Sequence, residues 1–194
     1  MTTYGSLPRS FFDRDSREVA PDLLNKVLVH GETAGRIVEV EAYCGSIDAA
    51  AHTYRGRTDR NATMFGPPGH LYVYFTYGMH WCANVVCEPE GTGTAVLLRA
   101  LAPLEGCETM EERRTKARRT TDLCSGPAKL CQALAIEGDL DGVDLTVGGG
   151  PQLVDDGTPP PPAPTQTTRI GLTKGVEHPW RWFVPGDPNV SRRW

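Results

Sequence analysis

Apolar positions recur every second residue in much of the chain, which is the period of a β-strand with its two faces in different surroundings. KVLVH (26–30) and RIVEVEAY (36–43) read as strands joined by a Gly-containing turn. HLYVYFTYGMHWCANVVCE (70–88) reads as two β-rich arms around Gly78, an aromatic hairpin. TAVLLRAL (94–101), TRIGL (168–172) and WRWFV (180–184) are further strand patterns. Helical character is confined to shorter stretches. Residues 16–25 predict a helix with Ser16 as its cap and Pro21 inside, and ETMEERRTKARRT (108–120) predicts a charged one. Gly126-Pro127 before AKLCQALAI marks a third helix start, with Pro at the first position. The stretch 148–168, with GGGP and TPPPPAPT, reads as a solvent-exposed low-complexity connector. Strands and helices that alternate without regular βαβ spacing predict an α+β fold, one mixed domain over residues 1–194.

Alternation also sorts the side chains of RIVEVEAY. Val38, Val40 and Ala42 fall on one face, and Ile37, Glu39, Glu41 and Tyr43 on the other. The first set suits a core, and the second sets two carboxylates beside an aromatic ring. An antiparallel strand with one wet face gives the same pattern. The following loop adds Asp48 and His52, then Arg55, Arg57 and Arg60, and the hairpin adds Tyr72, Tyr74 and Tyr77. Rings interleaved with cations suit base stacking and phosphate contact. A packed hairpin face accounts equally for each tyrosine taken singly, and alternation puts Tyr72 and Tyr74 opposite Tyr77.

Composition is that of a globular chain: 194 residues, 39% hydrophobic and 23% charged. No apolar run reaches the roughly 18 residues of a membrane span, and the N-terminus has no secretory pattern, so a cytoplasmic protein is expected. The six cysteines form no CxxC pair and read as free thiols in a reducing compartment. The formal charge of −4 argues against a polyanion partner until its distribution is considered. Residues 130–168 hold six acids and no Lys or Arg; with −6 there and −4 overall, the rest carries +2.

Several segments together resemble the alkyladenine (3-methyladenine) DNA glycosylase family. They are RIVEVEAY, DAAAH, RGRTDRNATMFGPPGHLYVYFTYGMH, CANVV, AVLLRALAPLEG, GPAKLCQAL, RIGL and PWRWFVPG, in the family's order and spanning roughly residues 10 to 191. The long MFGPPGHLYVYFTYGMH block is the specific one. The resemblance implies an antiparallel curved β-sheet with surrounding helices and a protruding hairpin. It implies an enzyme that flips damaged purines from double-stranded DNA and hydrolyses the bond to the sugar. Glu41 matches the general base that activates water, with Arg99 and the backbone carbonyl of Ile170 helping to hold that water. Glu39, on the same face, is the competing carboxylate and is expected to matter much less. Tyr43, His52, Tyr74 and Asn84 match the base pocket, and Tyr77 matches the side chain that fills the vacated stack. Met79 and His80 match backbone contacts, to which Arg55, Arg57 and Arg60 add basic candidates.

No lysine lies between Lys26 and Lys116, so direct attack by water rather than a Schiff base is expected. No metal or other cofactor is expected, and a monomer is. Two rival readings are a non-catalytic damaged-DNA-binding domain and a metal hydrolase built on Glu41, Asp48 and His52. The pattern does not rank 3-methyladenine, 7-methylguanine, hypoxanthine and ethenoadenine as lesions.

Overall fold

The computed structural model describes residues 5–191. The elements run β1 (Gly5–Ser6), α1 (Arg9–Phe12), α2 (Ser16–Leu23), β2 (Val27–His30), β3 (Thr33–Cys44), β4 (Leu71–Thr76), β5 (His80–Cys87) and β6 (Thr94–Glu105). They continue with α3 (Cys107–Arg113), α4 (Pro127–Ala133), β7 (Gln152–Asp155), β8 (Thr165–Thr167) and β9 (Arg181–Phe183). The strands form one antiparallel sheet in the order β1-β7-β2-β3-β6-β5-β4, with β9 pairing both β3 and β8. This is the mixed α+β architecture expected from the pattern.

β3 is the axis of the sheet. β6 lies along one side of it, while on the other side β2 pairs with its first half and β9 with Glu39, Val40 and Glu41. The two glutamates therefore sit on an interior strand. Both are fully buried, so the alternative of a strand with one wet face does not hold here.

Strict alternation fails at one point in β3. Ile37 pairs with Leu101, Glu39 with Ala100 and Val40 with Leu98, so Val38 is an extra residue in β3 and Arg99 an extra residue in β6. The paired bulges move Ile37 to the face of Val40 and Ala42, in the main core, and Val38 to the other face with Ala100 and Val190. The predicted grouping of Val38 with Val40 is corrected accordingly. Helices α2 and α4 cover the main-core face through Val19, Ala20, Leu23, Leu130 and Ala133. The opposite face is left for the site.

Other expectations shift for local reasons. Asp15, not Ser16, caps α2 by accepting the Arg17 N–H at 2.8 Å, and the helix ends two residues after Pro21. α3 stops at Arg113, whose carbonyl accepts from Gln132 Nε2 at 2.7 Å, so the predicted helix to residue 120 is cut short by a tertiary contact. The predicted connector 148–168 contains β7, with Leu153 and Val154 buried between β1 and β2, and also β8. Conversely TRIGL is not a strand. Its Arg169 and Ile170 bond side chains and a carbonyl of the β3 region instead of a ladder.

The acidic segment is held by its charges. Asp144 pairs with Arg9, Asp155 with Lys26 at 2.6 Å and Asp156 with Arg36 at 2.6 Å. Asp141 accepts the Val73 N–H at 2.9 Å and the Thr63 hydroxyl at 2.8 Å, at the base of the hairpin. Four of the segment's six acids thus tie it to the rest of the fold. All six cysteines are free thiols, five of them buried.

Candidate active site

Period two in four adjacent strands builds the site. Glu41 on β3 pairs with Leu97 on β6, Leu97 with Asn84 on β5, and Asn84 with Tyr72 on β4. One row across the sheet therefore presents Glu41, Leu97, Asn84 and Tyr72 on the face away from the helices. Residues two along each strand extend the row: Glu39 and Tyr43, Arg99, Cys82, and Tyr74. Over them lies a cleft of about 350 Å³, lined among others by Tyr43, His52, Tyr74, Asn84, Arg99 and Ile170. That volume is at the lower end for small-molecule sites.

Glu41 lies beneath three of those lining residues, two of which donate hydrogen bonds to it and one of which forms an ion pair with it. Tyr43 Oη reaches Oε2 at 3.0 Å, the Ile170 N–H reaches Oε1 at 2.8 Å, and Arg99 Nη1 lies 3.2 Å from Oε1. A carboxylate has about four acceptor positions, so two hydrogen bonds and the Arg99 ion pair leave it acceptor capacity. Burial pushes the Glu41 carboxyl above the ordinary glutamate value. Arg99, the Ile170 N–H and Tyr43 oppose this, and the charge of Glu39 adds to it.

Glu39 differs. Its Oε1 accepts from Arg99 Nε at 2.9 Å, Arg181 Nε at 2.7 Å and Ser191 Oγ at 2.9 Å, and its Oε2 from the Ser191 N–H at 2.6 Å. Burial pushes this carboxyl up, but Arg99, Ser191 and Arg181 together outweigh it and hold it below the ordinary value.

The walls are aromatic. Tyr72 and Tyr74 stack at 5.5 Å with planes 25° apart. His52 meets Tyr74 edge-on at 4.5 Å, and its Nδ1 lies 3.1 Å from the Tyr72 hydroxyl. Partial desolvation at the cleft wall, then the nearby Arg60 charge, pushes the His52 pKa down. Asn84 is buried and donates to the Tyr72 carbonyl at 3.3 Å. Behind Tyr43, the Arg169 guanidinium lies 4.6 Å from the ring centroid.

The structure thus brings Glu41, Arg99, Ile170, Tyr43, His52, Tyr74 and Asn84 to one site. It is the Ile170 amide N–H, not its carbonyl, that bonds Glu41. Tyr77 lines the same cleft from the hairpin tip, where it is 83% exposed. Met79 and His80 beside it are also exposed, as are Arg55, Arg57 and Arg60 in the preceding loop. Arg60 donates to the Phe75 carbonyl at 2.9 Å, which ties that loop to the hairpin.

Sequence reasoning raised Tyr72 as a candidate ring without giving it a place in the pocket and missed Cys82, although both lining positions follow from carrying the alternation across β4 and β5. It missed the hub role of Glu39 and the ion pair of Asp48 with Arg169. The signal for Arg181 was a lone cation inside the apolar WRWFV pattern. Asp48 accepts four hydrogen bonds, from Arg169 twice and from the Cys44 and Ala50 N–H groups. It is saturated by protein donors, which counts against the metal-hydrolase reading. Among the described residues no three His, Cys, Asp or Glu side chains are grouped to hold a metal ion.

A family model described as methylpurine-DNA glycosylase matches residues 10–188. A relative from Burkholderia lata is 62% identical over 188 residues, covering 95% of this chain and 90% of the relative. One from Streptomyces avermitilis is 50% identical over 192 residues, covering 95% and 90%, and one from Methanoculleus marisnigri is 51% identical over 198 residues, covering 97% and 100%. All three carry the name "Putative 3-methyladenine DNA glycosylase".

Proposed function

This chain belongs to the methylpurine-DNA glycosylase family, and from that premise we propose that it excises alkylated or deaminated purines from double-stranded DNA and leaves an abasic site. The observation that carries the reading is Glu41: a carboxylate buried under an aromatic cleft, held by hydrogen bonds from Tyr43 and the Ile170 N–H and paired with Arg99, with acceptor capacity left. A water held there is oriented towards whatever the cleft binds. Its oxygen attacks the anomeric carbon, the bond from that carbon to the purine nitrogen breaks with its electron pair going to the base, and Glu41 takes the water's proton. A purine methylated at a ring nitrogen is cationic in the duplex and leaves neutral. Arg99 and the Ile170 carbonyl complete the hold on water.

The cleft has the chemistry for a flipped base. Tyr43 and Tyr74 offer ring faces, which attract a cationic purine, and His52 offers an imidazole to its edge. Asn84 on the floor crowds a guanine amino group. Tyr77 enters the duplex where the base was, while Met79, His80, Arg55, Arg57 and Arg60 approach the backbone. The lining of the cleft contains no lysine, so water rather than an amine is the nucleophile and no strand cleavage is expected. No helix among the described residues is long and apolar enough to cross a membrane. A cytoplasmic monomer associated with the nucleoid fits this reading.

The test is a set of duplexes, each holding one of 3-methyladenine, 7-methylguanine, hypoxanthine or ethenoadenine, assayed for base release in single turnover. Release from at least one, leaving an alkali-labile site, is the expected result. Tight lesion binding with no release from any would replace the enzyme by a damaged-DNA-binding domain.

A further inference from the structure

Among the described residues, Arg99 is the one side chain that forms ion pairs with both strand carboxylates: its Nε donates to Glu39 at 2.9 Å and its Nη1 lies 3.2 Å from Glu41. It is also an extra residue in β6, set off by the bulges, and is 7% exposed at the cleft floor. A long guanidinium stem carries about 2 kcal/mol of rotamer freedom. Something must hold it. Glu39 does so from behind, and is itself locked by Arg181 from β9 and by both the N–H and hydroxyl of Ser191. Three chain segments thus converge on a carboxylate that, like Glu41, is not itself among the residues lining the cleft. Arg181 pairs with Glu39, while Arg99 is shared between Glu39 and Glu41.

We propose that Glu39 is a positioning residue, holding the Arg99 guanidinium so that it clamps Glu41 and the attacking water in the arrangement for base release. The inference rests on the reading that Glu41 activates water. It reverses the sequence expectation that Glu39 is the minor carboxylate.

The two acids are also coupled by charge. Glu41 is faced by Glu39 and Tyr43 from β3, Arg99 from β6, Tyr74 from β4, and Arg169 and the Ile170 N–H from the loop before β9. Removing the Glu39 charge leaves all of Arg99 to Glu41. The Glu41 carboxylate then forms at lower pH and is a weaker base.

The experiment compares wild type, Glu39→Gln, Glu41→Gln and the double variant in single-turnover base release across pH, with lesion-duplex affinity and thermal unfolding measured alongside. Glu39→Gln should release base about tenfold or more slowly, keep lesion affinity within about threefold, and show its acid limb at lower pH. Adding it to Glu41→Gln should cost nothing further, because it acts through that residue. If Glu39→Gln does not fold, Ser191→Ala decides. It keeps the Ser191 N–H bond, and the expectation is a loss of about threefold in rate at unchanged affinity, whereas a wild-type rate overturns the proposal. An active wild type, an inert Glu41→Gln and a Glu39→Gln with wild-type rate and acid limb overturn the role of Glu39 alone. A wild type that releases no base, or a fully active Glu41→Gln, overturns the underlying reading instead.

Discussion

Arg169 and Asp48 form a two-pronged ion pair whose side chains are both closed to water, at 2.6 and 2.8 Å. Arg169 also donates to the Ala42 carbonyl at 2.9 Å and covers the ring of Tyr43. The next residue, Ile170, donates its N–H to Glu41. One pair therefore joins the loop before His52, the strand of the carboxylates and the loop that bonds Glu41.

Breaking that pair from one side should be expensive. Arg169→Met leaves a buried carboxylate without its counter-ion, and a loss of about 3–5 kcal/mol is expected in denaturant unfolding. Asp48→Asn strands the cation instead. The double variant should be less destabilised than the sum of the singles, since the charge is removed on both sides. Additive costs would mean that the two residues stabilise the fold independently.

The same pair predicts a pH dependence of stability. Although burial raises Asp48, the hydrogen bonds from Arg169 and from the Ala50 N–H prevail, and its carboxyl sits below the ordinary value. A depressed acid contributes stability above its unfolded pKa and loses it as pH falls through the folded one. Wild type should therefore lose stability below about pH 4 faster than Asp48→Asn does. Parallel curves would show that Asp48 is not a source of the acid sensitivity.

Much of this site was legible in the chain as period two. Glu39, Glu41 and Tyr43 fall on one face by alternation, and so do Tyr72 and Tyr74. What alternation cannot show is where it breaks. The bulges at Val38 and Arg99 carry no Gly or Pro, so Val38 reads as a neighbour of Val40 although the backbone sends it to the other face. β7 was hidden because QLVD has only two apolar residues between Gly-rich and Pro-rich flanks, and its burial comes from β1 and β2. RIGL looked like a strand because Ile170 and Leu172 alternate with Arg169 and Gly171, but Arg169 is drawn inward by Asp48, 121 positions away in sequence. Long-range charge pairs leave no local mark.

If Glu41 activates the water as proposed, burial should also set the pH dependence of base release, since activation would need the carboxylate form and the Glu41 carboxyl is raised. The rate should fall as pH drops through a value above the ordinary glutamate range, not within it. Tyr43→Phe keeps the ring but removes a donor to the anion, so the acid limb should move to still higher pH. An acid limb near pH 4, unmoved by Tyr43→Phe, would take Glu41 out of the pH profile.

Affinity for DNA should depend on salt through a few local cations despite the net charge of −4. Arg55 and Arg57 are exposed in the loop before the hairpin, whereas Arg113 and Arg114 of the later basic run are turned inward onto the Ala133 carbonyl and Gln132. Removing one cation that neutralises a phosphate should lower the slope of log affinity against log salt by about 0.9. Arg55→Ala and Arg57→Ala should each do so, and Arg113→Ala should not. Equal slopes in all three would move the backbone-binding cations elsewhere.

On the proposed function, Tyr77 would link the geometry of the hairpin to the flipping of a base. Thr76 pairs with His80, so Tyr77, Gly78 and Met79 make the turn, and the Met79 N–H reaches the Thr76 carbonyl at 3.2 Å. Tyr77 has φ +52° and Gly78 φ +65°. A left-handed backbone is unfavourable for a side-chain-bearing residue by roughly 1–2 kcal/mol, so packing does not account for a tyrosine there. Its ring is 83% exposed and unsheltered by the core, yet it borders the cleft. Tyr77→Gly or Tyr77→Ala should therefore leave unfolding stability unchanged or raised, while weakening stable extrusion of the target base. The loss should be largest for lesions that still pair and stack well, and should shrink opposite an abasic site, where flipping costs less. A fluorescent base analogue at the target position reports extrusion directly. Full extrusion by Tyr77→Ala would remove the wedge role from Tyr77 and pass it to Met79 or His80.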